Sequence, residues 1–236
     1  MRRKSLTVKR KVKKKFLLSN NSKISKFYSK FKNIISKNIK REDFSIGVSG
    51  GIDSLCLAYF SKIYASEFKN KMHVLIIDHK LRKGSDREAL KVKKILNNKG
   101  IKGKILDWKG KIPKSNIQLN ARNMRYSLIS DYCSKNKVKY LLTAHHADDQ
   151  IENFFIRLLR GSGLTGLSSM QEKVDYNKNL KIIRPFLNLK KEDLKYVTLN
   201  YFKVFIQDPS NKDEKFLRVR VRKYRDTMKK EGLDTD

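Results

Sequence analysis

Apolar residues recur at helical spacing through Ile24, Phe27, Tyr28, Phe31, Ile34 and Ile35, which predicts a core-packing helix over residues 22–37. From there the chain alternates between short, nearly continuous apolar runs and longer segments with polar intervals. The runs predict strands at 43–48, 72–77, 104–107 and 139–143, and the longer segments predict helices at 53–68, 86–98, 116–135 and 147–160. Strands that are apolar throughout and alternate with helices imply an α/β fold with a doubly wound, mostly parallel sheet covered on both faces. No internal repeat is present. After Gly161 the rhythm changes. Residues 161–166 read as a flexible loop and 170–186 as a hairpin around Asn177-Lys178-Asn179. A short helix at 190–201 and a basic helix from about 216 follow. Residues 21–236 therefore read as one domain with a small helical extension from about 187.

Composition narrows the class. The 236 residues are 39% hydrophobic, enough for a buried core. With 56 basic and 23 acidic residues the formal charge is +33, a field that draws in polyanions. Lys, Asn and Ile are abundant throughout, as a codon bias toward A and T also produces, so the charge gains meaning only beside a phosphate-handling motif. Residues 1–20 form a basic block expected to be disordered and to touch nucleic acid. No run has the length of a membrane span, and Phe16-Leu17-Leu18 is too short for the apolar core of a signal peptide, so a cytoplasmic protein without a membrane partner is expected. Cys56 and Cys133 make no Cys-x-x-Cys pair, which argues against a zinc knuckle or a dithiol centre.

Four stretches carry chemistry, and each falls at the carboxyl end of a predicted strand or on a following helix, where ligands bind in such sheets. The first is Ser49-Gly50-Gly51-Ile52-Asp53-Ser54. Glycines there permit positive φ and close approach to backbone amides, and the helix start favours an anion. Asp53 offers a carboxylate suited to Mg²⁺. The stretch lacks the Walker spacing and resembles the pyrophosphate loop of ATPases that split ATP into AMP and pyrophosphate. The second is Asp78-His79-Lys80-Leu81-Arg82, where Asp78 and Arg82 are candidates for substrate contact while Ser85 fits a capping box with Glu88. The third puts Arg122 and Arg125 on one helix face, suited to phosphate or simply to solvent. The fourth is Thr143-Ala144-His145-His146-Ala147-Asp148-Asp149-Gln150-Ile151-Glu152. Asp149 and Glu152 share a helix face there and suit a cationic amine, although first-turn acids also complement a helix dipole. The last basic run, Arg218-Val219-Arg220-Val221-Arg222, reads by itself as a solvated helix face.

Taken together, in order and at compatible spacing, these motifs resemble the catalytic domain of the tRNA(Ile)-lysidine synthetases over about residues 43–225. Asn116-x-Gln118, Tyr126, Arg160-Gly161-Ser162-Gly163, Arg184-Pro185 and Asp208-Pro209-Ser210-Asn211 extend the match. Where this family commonly carries Asn, the chain has Val219. The resemblance implies an adenine nucleotide alpha hydrolase-like, Rossmann-like fold. It also implies a ligase that joins free L-lysine to the wobble cytidine of a CAU-anticodon tRNA(Ile), with ATP and Mg²⁺. Ser49, Gly50, Gly51, Ile52, Asp53 and Ser54 would then bind ATP, with Asp53 also near Mg²⁺. Asp53, His145 and Asp149 would be catalytic, and Asp149 and Glu152 would hold lysine. Arg82, Arg122, Arg125, Arg218 and Arg220 would contact nucleotide or tRNA. Such enzymes usually have C-terminal domains that grip tRNA, and the basic N-terminal block is expected to take over part of that role. A homodimer is compatible with the sequence. Rival readings are a tRNA thiolase, for which paired cysteines are missing, a glutamine-dependent amidotransferase, for which there is no room, and a non-catalytic RNA-binding remnant.

Overall fold

Six strands form one sheet in the order β3-β2-β1-β4-β6-β5, seen in a computed structural model that describes residues 21–81, 84–110, 115–163, 165–208 and 213–232. The strands are β1 (Phe44–Gly47), β2 (Met72–Asp78), β3 (Gly103–Asp107), β4 (Tyr140–Leu142), β5 (Lys173–Asn177) and β6 (Leu180–Ile183). All neighbours pair in parallel except β5, which runs antiparallel along β6 at the edge. The chain winds from β1 outward to β3, then returns to place β4 on the other flank of β1. That reversal opens a crevice at the carboxyl ends of β1 and β4.

Helices α1 (Ser22–Asn38), α2 (Ile52–Phe68), α3 (Ser85–Asn97), α4 (Ile117–Lys135), α5 (Ala147–Leu158), α6 (Lys191–Tyr201) and α7 (Leu217–Lys230) complete the described elements. Side chains alternate across the sheet as strand geometry requires. Phe44, Ile46, Val74, Ile76, Leu142 and Ile183 join the larger core with α1, α2, α3 and α6. Leu75, Leu141 and Ile182 face the other way and pack with Tyr126, Ile129 and Cys133 of α4. The doubly wound expectation holds, with α2 buried along nearly its whole length.

The predicted helix at 22–37 is α1. Its cap is Asn21, whose side chain accepts from the Ile24 backbone N–H at 3.2 Å. Phe31, fully buried, meets Phe60 and Phe186 at ring-centroid distances of 5.6 and 5.7 Å. The hairpin turns because Asn177 Oδ1 accepts from the N–H groups of Asn179 and Leu180, both at 2.9 Å. Its second strand, β6, enters the main sheet beside β4.

One expectation is corrected. Ser85 does not cap α3: Gly84 does, with φ 89° and no side-chain bond, and Ser85 is already the first helical residue. Side chains of α5 reach the backbone at and after the end of the Gly-rich stretch. Arg157 donates to the carbonyls of Gly166 and Ser168, and Gln150 exchanges two hydrogen bonds with the Met170 backbone. Glycine content reports what the backbone can adopt and says nothing of side chains from a neighbouring helix that hold it. No described helix is long and apolar enough to cross a membrane.

Candidate active site

The stretch 49–54 joins β1 to α2 at the crevice. Gly50 has φ 83°, a left-handed conformation that side chains rarely adopt, and a Cβ there would fall 2.7 Å from Val92 Cγ2. Its carbonyl accepts from the Ile206 N–H at 2.8 Å, so the segment after α6 braces the loop from behind. Gly51 is the N-cap of α2 and uses no side chain to cover the first amides. Ser54 Oγ accepts from the Ser49 N–H at 3.2 Å and donates to the Gly51 carbonyl at 3.0 Å, which closes the loop on itself. Thr198 Oγ1 fastens Ile52 from α6 at 2.8 Å. The product is a rigid turn at a helix N-terminus, the arrangement that receives phosphate.

Across the crevice, β4 ends and α5 begins at His146, which is 2% exposed. His146 is the hub of the site. Its Nε2 lies 3.6 Å from Asp53 Oδ2 and 3.5 Å from Asp149 Oδ2, and its Nδ1 lies 3.5 Å from Asp148 Oδ2. Burial alone would lower its pKa, but Asp148, Asp53 and Asp149 together raise it to about 9, so the ring is an imidazolium at neutral pH. Asp148 is held well below the usual carboxylate range by His146 first, then by the Lys191 N–H and by Arg225, against the opposing effect of burial. Asp53 keeps one oxygen, Oδ1, buried and without a hydrogen-bond partner among the described residues. A single carboxylate oxygen beside a phosphate loop fits Mg²⁺, which retains water and takes phosphate oxygens as further ligands. No group of three His, Cys, Asp or Glu residues among those described would hold a metal by itself.

Helix α7 lies over α5. Arg222 makes a forked pair with Glu152, Nε to Oε1 at 2.5 Å and Nη2 to Oε2 at 3.1 Å. Arg218 Nε reaches Glu152 Oε2 at 3.1 Å, and its Nη2 lies 3.9 Å from Asp149 Oδ1. Arg225 pairs with Asp148. Three guanidinium groups spaced i, i+4 and i+7 thus meet three carboxylates of α5.

The remaining candidates fall around this centre. His145 hydrogen-bonds Thr143 Oγ1 through Nδ1 at 2.9 Å. Burial above all lowers its pKa to about 4, with Arg184, Arg122 and Arg218 adding to the effect against Asp149, so it is neutral. Arg122 and Arg125 serve different neighbours. Arg122 stacks over Tyr126 at 5.0 Å and acts on His145, whereas Arg125 acts on His79, which burial lowers to about 4. Asp78 is buried and its Oδ1 accepts from the Lys80 N–H at 2.9 Å, so it shapes its own turn. Arg220 points away from the acids and donates to the Glu214 carbonyl at 2.9 Å. Arg82 and residues 209–212 lie outside the described residues. Sequence patterning pointed to no role for Arg184, Arg222 or Arg225, and showed Asp148 only as one of three clustered acids. The arginine spacing on α7 was the available signal, and it becomes specific only once the acids of α5 stand opposite.

A PP-loop domain family model matches residues 21–225. Among curated relatives, the tRNA(Ile)-lysidine synthase of Orientia tsutsugamushi (strain Boryong) is 46% identical over 179 residues, 75% of this chain and 40% of that protein. The tRNA(Ile)-lysidine synthase of Wolbachia pipientis wMel is 40% identical over 196 residues, 81% of this chain and 45% of that one. The chain thus spans less than half the length of these relatives. A solved structure of the U34-tRNA thiolase NcsA from Methanococcus maripaludis, with its 4Fe–4S cluster, has a TM-score of 0.70 at 18% identity. The match covers 89% of this chain and 75% of that one and is a likeness of fold.

Proposed function

Because the chain belongs to the PP-loop domain family, we propose that it uses ATP to join free L-lysine to the wobble cytidine of a CAU-anticodon tRNA(Ile). The observation that carries this reading is the contact of one charged residue, His146, with both Asp53 on the phosphate loop and Asp149 on α5. An anion site and an acid-rich site then share one crevice, as a reaction between a nucleotide and a cationic amine requires. The names of the relatives, tRNA(Ile)-lysidine synthases, support a tRNA-modifying reaction, and the choice of lysine and cytidine is part of the proposal.

In the first step the cytidine 2-carbonyl oxygen attacks the α-phosphate of ATP, and the bond to pyrophosphate breaks. The amides of Gly50, Gly51 and Ile52 and the hydroxyls of Ser49 and Ser54 hold the departing phosphates. Asp53 would hold Mg²⁺, which supplies charge neutralisation on those oxygens. In the second step the lysine ε-amine attacks C2 of the adenylated cytidine, AMP leaves, and the amine sheds its proton. Neutral His145 is available as an acceptor beside the nucleotide. The amine is drawn to the side that holds Asp149 and Glu152, while Arg82, Arg122, Arg125, Arg218 and Arg220 contact nucleotide or tRNA phosphates. A sulfur-transfer reaction is disfavoured, since Cys56 and Cys133 are buried in different clusters on opposite faces of the sheet.

The test follows radiolabelled lysine into RNA with purified protein, ATP and Mg²⁺. Label should enter tRNA(Ile) bearing a CAU anticodon, should not enter tRNA(Met), and should disappear in Asp149→Ala. AMP formation with tRNA but without lysine incorporation would transfer the reading to a different nucleophile.

A further inference from the structure

The phosphate loop has a rear as well as a mouth. We propose that Thr198 of α6 and Ile206 of the segment after it are positioning residues for ATP. They hold two loop carbonyls to the rear, so that the amides of Gly51 and Asp53 face the crevice. This role rests on the ATP reading above.

A trans peptide is planar, with its C=O and N–H pointing in opposite directions, so fixing one aims the other. The Gly50 carbonyl accepts from the Ile206 N–H at 2.8 Å, which turns the Gly51 N–H of the same peptide to the other side of the loop. The Ile52 carbonyl accepts from Thr198 Oγ1 at 2.8 Å, which does the same for the Asp53 N–H. Gly51 caps α2 without a side chain, and the first amides of a helix have no acceptor within it. Both N–H groups are therefore left for an anion.

The two contacts come from well-anchored places. Thr198 is fully buried, so it acts on ATP only through the loop. In a helix its hydroxyl can turn back onto the preceding turn, but here it is spent on α2. Leu194 and Val197 of the same helix lie in the core that contains α2, and Tyr201 stacks on Tyr59 of α2 at 3.9 Å. Phe205 and Ile206 pack against that core as well. A Cβ at Gly50 would lie 3.1 Å from Ile206 Cδ1, so side chain and amide both meet the rear of the turn. Helix α6 also holds the opposite wall. The Lys191 N–H donates to Asp148 Oδ2 at 2.8 Å, and the Leu189 carbonyl accepts from the Ala147 N–H at 2.9 Å. Lys191 and Thr198 stand about 10 Å apart along the helix axis. One helix thus sets the phosphate loop and α5 in register with each other.

Titration calorimetry of the full chain with ATP and Mg²⁺ tests the brace. Hydrogen exchange of residues 47–55 accompanies it, with peptides from β2 and α4 reporting the fold. Thr198→Val keeps the branched shape and removes the donor. It should weaken ATP binding about fivefold and speed exchange in 47–55, with β2 and α4 unchanged. Thr198→Ser restores the hydroxyl and should return affinity to within about twofold of wild type. Ile206→Ala loses the packing behind Gly50 and should weaken ATP binding about fivefold too, whereas Leu199→Ala, at an exposed position of α6, should change neither readout. In AMP formation with tRNA, Thr198→Val should raise the KM for ATP about fivefold with kcat within about twofold, a split that a general loss of stability would not give. Wild-type ATP affinity in both Thr198→Val and Ile206→Ala overturns the brace and leaves the ATP reading standing. A loss in Thr198→Val that Thr198→Ser fails to restore overturns the role of the hydroxyl. Should Thr198→Val not fold, Ile206→Ala decides. If the wild-type protein binds no ATP, the ATP reading itself fails and the brace falls with it.

Discussion

Single residues set the chemistry at the crevice, and Gly50 shows how tightly. Alanine at that position must hold φ near 83° and press a methyl 2.7 Å from Val92. Such strain costs about 1–3 kcal/mol. Gly50→Ala should therefore lower the thermal midpoint, and ATP should no longer raise it, as calorimetry with and without nucleotide would read. Histidine charge gives a second prediction. His146 is raised to about 9, so its contribution is fully present below the unfolded value of about 6.5 and is lost as pH rises through 9. A shift of that size amounts to about 3 kcal/mol. His145 and His79 are lowered to about 4, so their contribution is present above 6.5 and is lost as pH falls toward 4. Stability from these groups should peak near pH 6.5. The chain has four histidines, so imidazole NMR should resolve one ring titrating near pH 9 and two near pH 4.

At the level of elements, periodicity predicted nearly every helix and strand, because one apolar face per helix and apolar strands are what a covered sheet demands. Phe31 of α1 illustrates what that face supports. It backs Phe186, whose backbone bridges to His146, so α1 reaches the site through two contacts. Phe31→Ala should cost about 3–5 kcal/mol by denaturant unfolding. What periodicity missed were the links between elements. Gly166 is tied by Arg157 of α5, and α3 begins on Gly84, because caps and tethers depend on neighbours that a local pattern does not contain.

At the scale of the whole molecule, a strongly basic chain gathers several of its acids at one crevice. Two acids of α5, Asp148 and Asp149, gather with Asp53 around His146, while most of the surplus charge of +33 lies elsewhere. Residues 1–20 carry nine basic side chains and no acidic one, and lie outside the described residues. Deleting them should weaken tRNA binding most at low salt. The plot of log affinity against log salt should also become shallower, by about 0.7–0.9 for each phosphate that the block had neutralised. An unchanged slope would show that the block neutralises none.

The doubly wound fold, the order of its elements and the two crevice motifs, Ser49–Ser54 and Thr143–Glu152, were legible in residue order alone. Local spacing decides which residues face inward, and glycines and acids at strand ends are visible without coordinates. Which charges meet was not legible. Glu152 and Arg222 lie 70 residues apart, and their forked pair exists because α7 is packed across α5. Likewise Asp53 and His146 come together through the pairing of β1 with β4. Ion pairing and pKa depend on through-space distance and on burial, both set by tertiary packing. For that reason two acids that look equivalent at i and i+3 became unequal only in the folded protein.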